Sequence, residues 1–179
     1  LRSKDELLKR MVALWAVVGT AMLRENDYFK EYLETDGRMQ WLSPGEQRFV
    51  LDDAPDERQY IQFSWRLEAF YFLGWCAGLV DRIDIPVKES SAGSFLNLFP
   101  QDVEDPDVLE RAIRIRDKEE ILDWADKLYR IHWAVRDARL NGTPAPDLNG
   151  DAVAEWHHAV NWMTGYDDED NWDLVGTDT

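Results

Sequence analysis

Three histidines, His132, His157 and His158, are the side chains of this sequence best suited to proton or metal chemistry, and all fall in its last third. Glu155 and His158 have the Glu-x-x-His spacing, which puts both groups on one face of a helix. Di-iron bundles face two such motifs with two further glutamates. Here the motif occurs once. His157 borders the apolar row Val153 and Val160. Were its helix to pack on the one carrying His132, the two imidazoles and a carboxylate would supply the three protein ligands of a zinc site. No His-Glu-x-x-His or Cys/His spacing supports that arrangement, so no metal and no cofactor is assigned. A histidine satisfied by a hydrogen bond in the core is the stronger expectation. Cys76 lies in the apolar run FLGWCAGL and reads as a core thiol, not a nucleophile. There is no glycine-rich phosphate loop, no Walker sequence and no Gly-x-Ser-x-Gly elbow.

The element that must position most of these groups is the stretch from Arg116 to Arg139. Asp117 with Glu120 reads as an acidic capping box and Gly142 as the stop. Ile121, Trp124 or Ala125, Leu128, Ile131 and Val135 form its apolar face. A second row carries Glu119, Asp123, Asp126, Arg130, Trp133 and Asp137, with Asp126 and Arg130 spaced for a helix ion pair. That row reads first as a solvated face and second as a pocket wall presenting Arg130 and His132. The most apolar stretch, Glu57 to Leu79, predicts a helix buried on all sides. Arg66 and Glu68 interrupt it, and charges at such positions require partners.

Other start and stop signals fill in the chain. Ser3 with Glu6 opens a helix running to about Leu23. Asp27 to Leu33 is short and ends at Asp36-Gly37. Ser43-Pro44-Gly45-Glu46 opens another. Asp107 to Arg116 predicts a short entry helix, Thr143 to Pro146 a linker, and Asp151 the cap of a last helix stopped by Gly165. From Tyr166 onward the chain reads as an acidic tail, with Trp172 and Val175 as potential anchors.

Composition narrows function. Acidic residues outnumber Lys and Arg by 36 to 20, for a formal charge of −16. That excludes nonspecific binding to nucleic acid or to an anionic membrane surface, and it permits a basic protein partner. The lone cysteine fits a reducing, cytoplasmic setting. No secretory leader is visible, and the longest uncharged apolar run, Ala69 to Val80, falls short of the about 20 residues a bilayer span needs.

Several stretches together resemble a known family. They are Arg116…Glu120-Ile121-Leu122-Asp123 with Asp126 and Tyr129-Arg130-x-His132-Trp133-Ala134; Trp65-Arg66-x-Glu68-Ala69 with Trp75; Glu155-x-His157-x-Ala159-x-Asn161-Trp162; and Trp172-Asp173…Thr177-Asp178-Thr179. In this order they resemble the bacterial domain of unknown function 4272. The chain departs from that pattern at Trp156, where arginine is usual, and at Leu174, where an acid is usual. The resemblance implies a soluble bacterial domain and no particular activity. Its polar positions supply a candidate binding cluster: Arg66, Glu68, Asp126, Arg130, His132, Glu155, His157 and Asn161. The expectation is an all-α single domain spanning residues 1–179, with about six or seven helices around a buried central one and an acidic tail over 166–179. Its expected role is a non-enzymatic binding or interaction module. The alternative is an enzyme or metal protein using His132, His157 and neighbouring carboxylates.

Overall fold

Ser3 starts the first helix by a reciprocal exchange. Its hydroxyl accepts the Glu6 N–H at 3.3 Å, and the Glu6 carboxylate accepts the Ser3 N–H at 2.8 Å, which satisfies two donors the helix cannot. In the computed structural model, which describes residues 1–143 and 147–179, Ser43 with Glu46 and Asp56 with Gln59 repeat the device. The helices are α1 (Lys4–Leu23), α2 (Asp27–Glu34), α3 (Pro44–Leu51), α4 (Glu57–Ser64), α5 (Arg66–Cys76), α6 (Asp107–Ala112), α7 (Lys118–Asn141) and α8 (Gly150–Thr164). Among the described residues there is no strand, and no helix is long and apolar enough to cross a membrane.

The stretch from Glu57 to Leu79 is not one buried helix. It divides at Trp65, which keeps helical angles (φ −63, ψ −20) at the junction of α4 and α5. Counted as one rod, the two halves bring the helices to the expected number. The first half contains Gln59, Gln62 and Ser64 among its apolar residues, and it buries only Phe63. The second half, α5, is buried over Glu68, Ala69, Phe70, Phe72, Leu73, Gly74, Trp75 and Cys76. It is therefore the central rod, held between α1 and α8, with α7 packed outside α8. Gly74 makes room for the Phe95 ring: a Cβ there would lie 2.8 Å from it.

Two caps differ from expectation. Asp117 occupies the N-cap of α7, but its side chain makes no cap hydrogen bond. The entry is held instead by Arg116, which donates to the Trp75 carbonyl at 2.8 Å and the Val80 carbonyl at 2.6 Å. In α8 the cap is Asn149, whose side chain accepts the Ala152 N–H at 3.1 Å. Asp151 lies inside the first turn, where its charge still suits the helix dipole. Gly142 and Gly165 end α7 and α8 with φ of 63 and 70, angles that cost glycine least. Of the expected linker, residues 144–146 lie outside the described residues.

The acidic tail is strapped to the body. Trp172 and Val175 are buried. Arg2 pairs with Asp170 and donates to the Glu169 carbonyl at 2.5 Å. The Asp173 carboxylate accepts the Gly45 N–H at 2.7 Å, and Asn161 donates to the Gly176 carbonyl at 2.8 Å. These bonds tie the tail to the start of α1, the start of α3 and the side of α8.

Candidate functional site

Consecutive residues of α8 reach different interiors. His157 meets His132 of α7, Nδ1 to Nδ1, at 2.9 Å, with the ring planes 89° apart. Both are buried, and each ring gives the other its partner, one nitrogen donating and one accepting. Burial pulls the His157 pKa down to about 4, and the nearby His132 adds to the effect. Burial also lowers that of His132, helped by the charges of Arg136 and Arg139. The pair is therefore neutral at physiological pH. Two nitrogens sharing one tetrahedral zinc, each about 2.0–2.1 Å from it, would stand about 3.3 Å apart. The observed spacing is that of a hydrogen bond. Among the described residues no group of three His, Cys, Asp or Glu is arranged to hold a metal ion.

The other interior is charged. His158 packs edge-on against Trp172, ring centroids 4.4 Å apart. The Arg10 guanidinium lies 4.7 Å from the centre of the same indole and that of Arg66 lies 6.0 Å from it. Arg10 of α1 pairs with Glu46 of α3 at 2.5 Å, with side chains only 5% and 1% exposed. One Arg66 nitrogen, Nη1, reaches both oxygens of Glu155, at 2.9 and 3.0 Å. Beside them the buried Glu68 carboxylate accepts the N–H and hydroxyl of Ser90, both at 2.7 Å, and the Trp156 indole N–H at 2.9 Å. Burial raises the Glu155 pKa against the opposing charge of Arg66. Burial, then the positive charges of Arg66 and Arg10, pulls His158 down to about 3.

This second interior is incompletely satisfied. Arg10 Nε, Glu46 Oε1, Arg66 Nε, His158 Nε2 and Trp172 Nε1 are all buried and have no hydrogen-bond partner among the described residues. Each such group costs about 1–3 kcal/mol if left unpaired. Over the same indole opens a cleft of about 780 Å³ whose lining includes Arg2, Lys9, Arg10, Trp41, Trp162 and Trp172, with Glu6 and Asp170 among its acids.

Residues 1–175 match the sequence model of the domain of unknown function 4272 (DUF4272). The chain belongs to the DUF4272 family. No curated protein and no solved structure matches it. All the side chains around Trp172 fall within the DUF4272 match, and residues 176–179 fall outside it.

The eight candidate positions of this DUF4272 chain divide four ways. Arg66, Glu68 and Glu155 belong to the Trp172 interior, and His132 with His157 form the closed pair. Asn161 ties down the tail. Asp126 and Arg130 make an exposed pair on α7, with side chains 63% and 75% exposed, joined to neither interior. Arg130 instead edges a separate pocket of about 400 Å³ with Ile85, Val87 and Ile131. His132 points away from it into the core, so the two do not share a wall. Sequence reading missed Arg10, Ser90 and the second role of Glu46. Arg10 had a signal, because it lies three residues after Leu7 and four before Leu14, on the apolar stripe of α1. Ser90 lies in a loop and had none.

Proposed function

We propose that this DUF4272 domain is a binding module and that the cleft over Trp172 takes a small planar organic anion. One observation carries the reading: five buried polar atoms without partners among the described residues gather around the indole that lines an open cleft. Native interiors pair nearly all such atoms, so a cluster of exceptions marks a place where something other than packing was selected. The cleft has the size of small-molecule sites, about 300–1,000 Å³. In a chain with so large an excess of acid, its lining sets Arg2, Lys9 and Arg10 against Glu6 and Asp170. Half-buried Trp41 offers a flat face for a ring, while the Trp162 ring lies beneath the Arg2 guanidinium, 5.3 Å from its centre. Among the described residues Lys9 is held only by an exposed pair with Asp5 at 2.6 Å, a weak interaction that a ligand carboxylate can replace. Catalysis finds less support: burial drives the Cys76 thiol well above its ordinary pKa, and His132 and His157 face each other.

The test is titration of the purified chain with benzoate and indole-3-carboxylate, followed by tryptophan fluorescence and melting temperature. Saturable quenching and a raised melting temperature are expected, both lost in Lys9→Ala and Trp41→Ala and kept in Asp126→Ala. A flat titration with both probes rules the anion out. The charge of −16 favours a second reading, a basic protein partner met in the cytoplasm, whose binding would weaken as salt is added.

A further inference from the structure

The face of α7 that meets α8 buries Ile121, Leu128, His132, Val135 and Ala138. A second apolar row runs along a different flank and stays in solvent. Leu122, Tyr129, Trp133 and Leu140 are 42%, 50%, 52% and 86% exposed. Steps of seven, four and seven bring all four within about 20° of one line, over about 27 Å of helix axis. Single exposed apolar residues are ordinary, whereas a seam with coiled-coil spacing is a surface built to be covered.

The seam is complementary to itself. When two α7 helices run antiparallel and cross at the level of Ile131, residues equidistant from that point face one another. Leu122 then lies opposite Leu140 of the second copy, and Tyr129 lies opposite Trp133 of the second copy. Asp126, on the same seam, lies opposite Arg136 of the second copy. Each layer matches apolar with apolar or acid with base, and a two-fold axis repeats it. A parallel pairing would instead set Asp126 against itself and Arg136 against itself. Both charged residues are exposed: Asp126 holds Arg130 at 2.9 Å, and Arg136 holds the Thr179 hydroxyl at 2.9 Å, so both can turn to a new partner.

We infer that the chain self-associates through α7 as an antiparallel two-fold dimer. One helix face is small against the about 800 Å² per partner of a standard stable interface. Ile85 and Val87, exposed by the neighbouring pocket, extend it only modestly. The dimer is therefore weak and concentration-dependent. Each copy carries −16, so added salt screens the repulsion and tightens the association, the reverse of its effect on binding a basic protein.

Sedimentation velocity of the intact chain tests this, over a series reaching high micromolar concentration at low and at raised salt. The expected result is a monomer–dimer equilibrium that shifts to dimer with salt. Trp133→Ser weakens it roughly ten-fold or more, as loss of a central aromatic anchor does, without lowering the melting temperature. Asp126→Arg weakens it as well, and adding Arg136→Asp to that variant restores it. A monomer at every concentration and both salts overturns the inference. So does a dimer indifferent to Trp133→Ser, or a charge swap that fails to restore association.

Discussion

His157 and His158 are consecutive residues of one helix, and their surroundings obey different rules. His157 enters an interior where each polar group has one partner of its own kind: imidazole to imidazole, buried and neutral. His158 enters an interior with two arginines, three glutamates and the Trp172 indole, where five polar atoms have no partner among the described residues. The first arrangement fixes how α7 docks on α8 and leaves nothing over. The second holds α1, α3, α5, α8 and the tail together and still retains unused hydrogen-bonding capacity. Burial lowers the basicity of both rings, so a depressed histidine pKa does not distinguish a structural pair from a candidate site. The unpaired atoms do.

The contrast is broken most forcefully at Arg10 and Glu46. Glu46→Ala strands a buried guanidinium, and loss of one partner from a buried pair costs about 3–5 kcal/mol. Urea unfolding should show that loss. The double variant Arg10→Met with Glu46→Leu should regain most of it, because removing both charges also removes their desolvation cost. A double variant as unstable as the single one would mean that the pair is needed in itself.

Substitution of the two histidines comes next. His157→Leu leaves His132 Nδ1 buried without its partner, at about 1–3 kcal/mol. His158→Leu removes one ring nitrogen without a partner among the described residues, together with the ring's bond to the Trp172 backbone, so equilibrium unfolding at neutral pH should place it closer to wild type than His157→Leu. Acid sharpens the difference. Below about pH 6.5 the unfolded chain protonates its histidines, while the folded chain keeps His157 neutral to about 4 and His158 to about 3. Stability contributed by these two groups is therefore complete above pH 6.5 and falls as pH drops through that window. Glu155 acts in the opposite sense, since its raised pKa lets the folded chain take up that proton first. His158→Leu should flatten the acid loss measured by urea midpoints. An unchanged pH profile would show that His158 is already solvated.

A smaller pair of effects compares two indoles. Trp156→Phe removes the donor to Glu68 and should cost about 1–3 kcal/mol in chemical unfolding. Trp172→Phe removes an N–H that has no partner among the described residues, and should cost less. A larger loss at Trp172 would mean that its N–H is satisfied in solution.

Much of this could be read from the chain because it is local. Ser3 with Glu6 and Ser43 with Glu46 are capping boxes whose parts lie three residues apart. Arg66 and Glu68 had to find partners because the run around them is apolar. Which partners they find depends on separations of 22, 88 and 89 residues, which no window along the chain reports. The break at Trp65 also escaped notice, because the backbone there stays helical and only the burial changes. Trp172 could be read as an anchor, but its position between Arg10, Arg66 and His158 depends on three helices and the tail arriving together.

Asp126 and Arg130 carry the smallest expected effect. Their spacing is right, their hydrogen bonds measure 2.9 and 3.2 Å, and both fall within the residues that the family model matches. Contact geometry alone would place them beside Arg66 and Glu155. Exposure separates the two pairs, since water already solvates Asp126 and Arg130, and a pair on a helix surface contributes only about 0.3–0.5 kcal/mol. Asp126→Ala should therefore move the urea midpoint of the dilute, monomeric chain by no more than that, and added salt should erase the shift. A larger or salt-resistant loss would show that α7 is covered on this side even in the monomer. In that case its outer face would belong with the interiors.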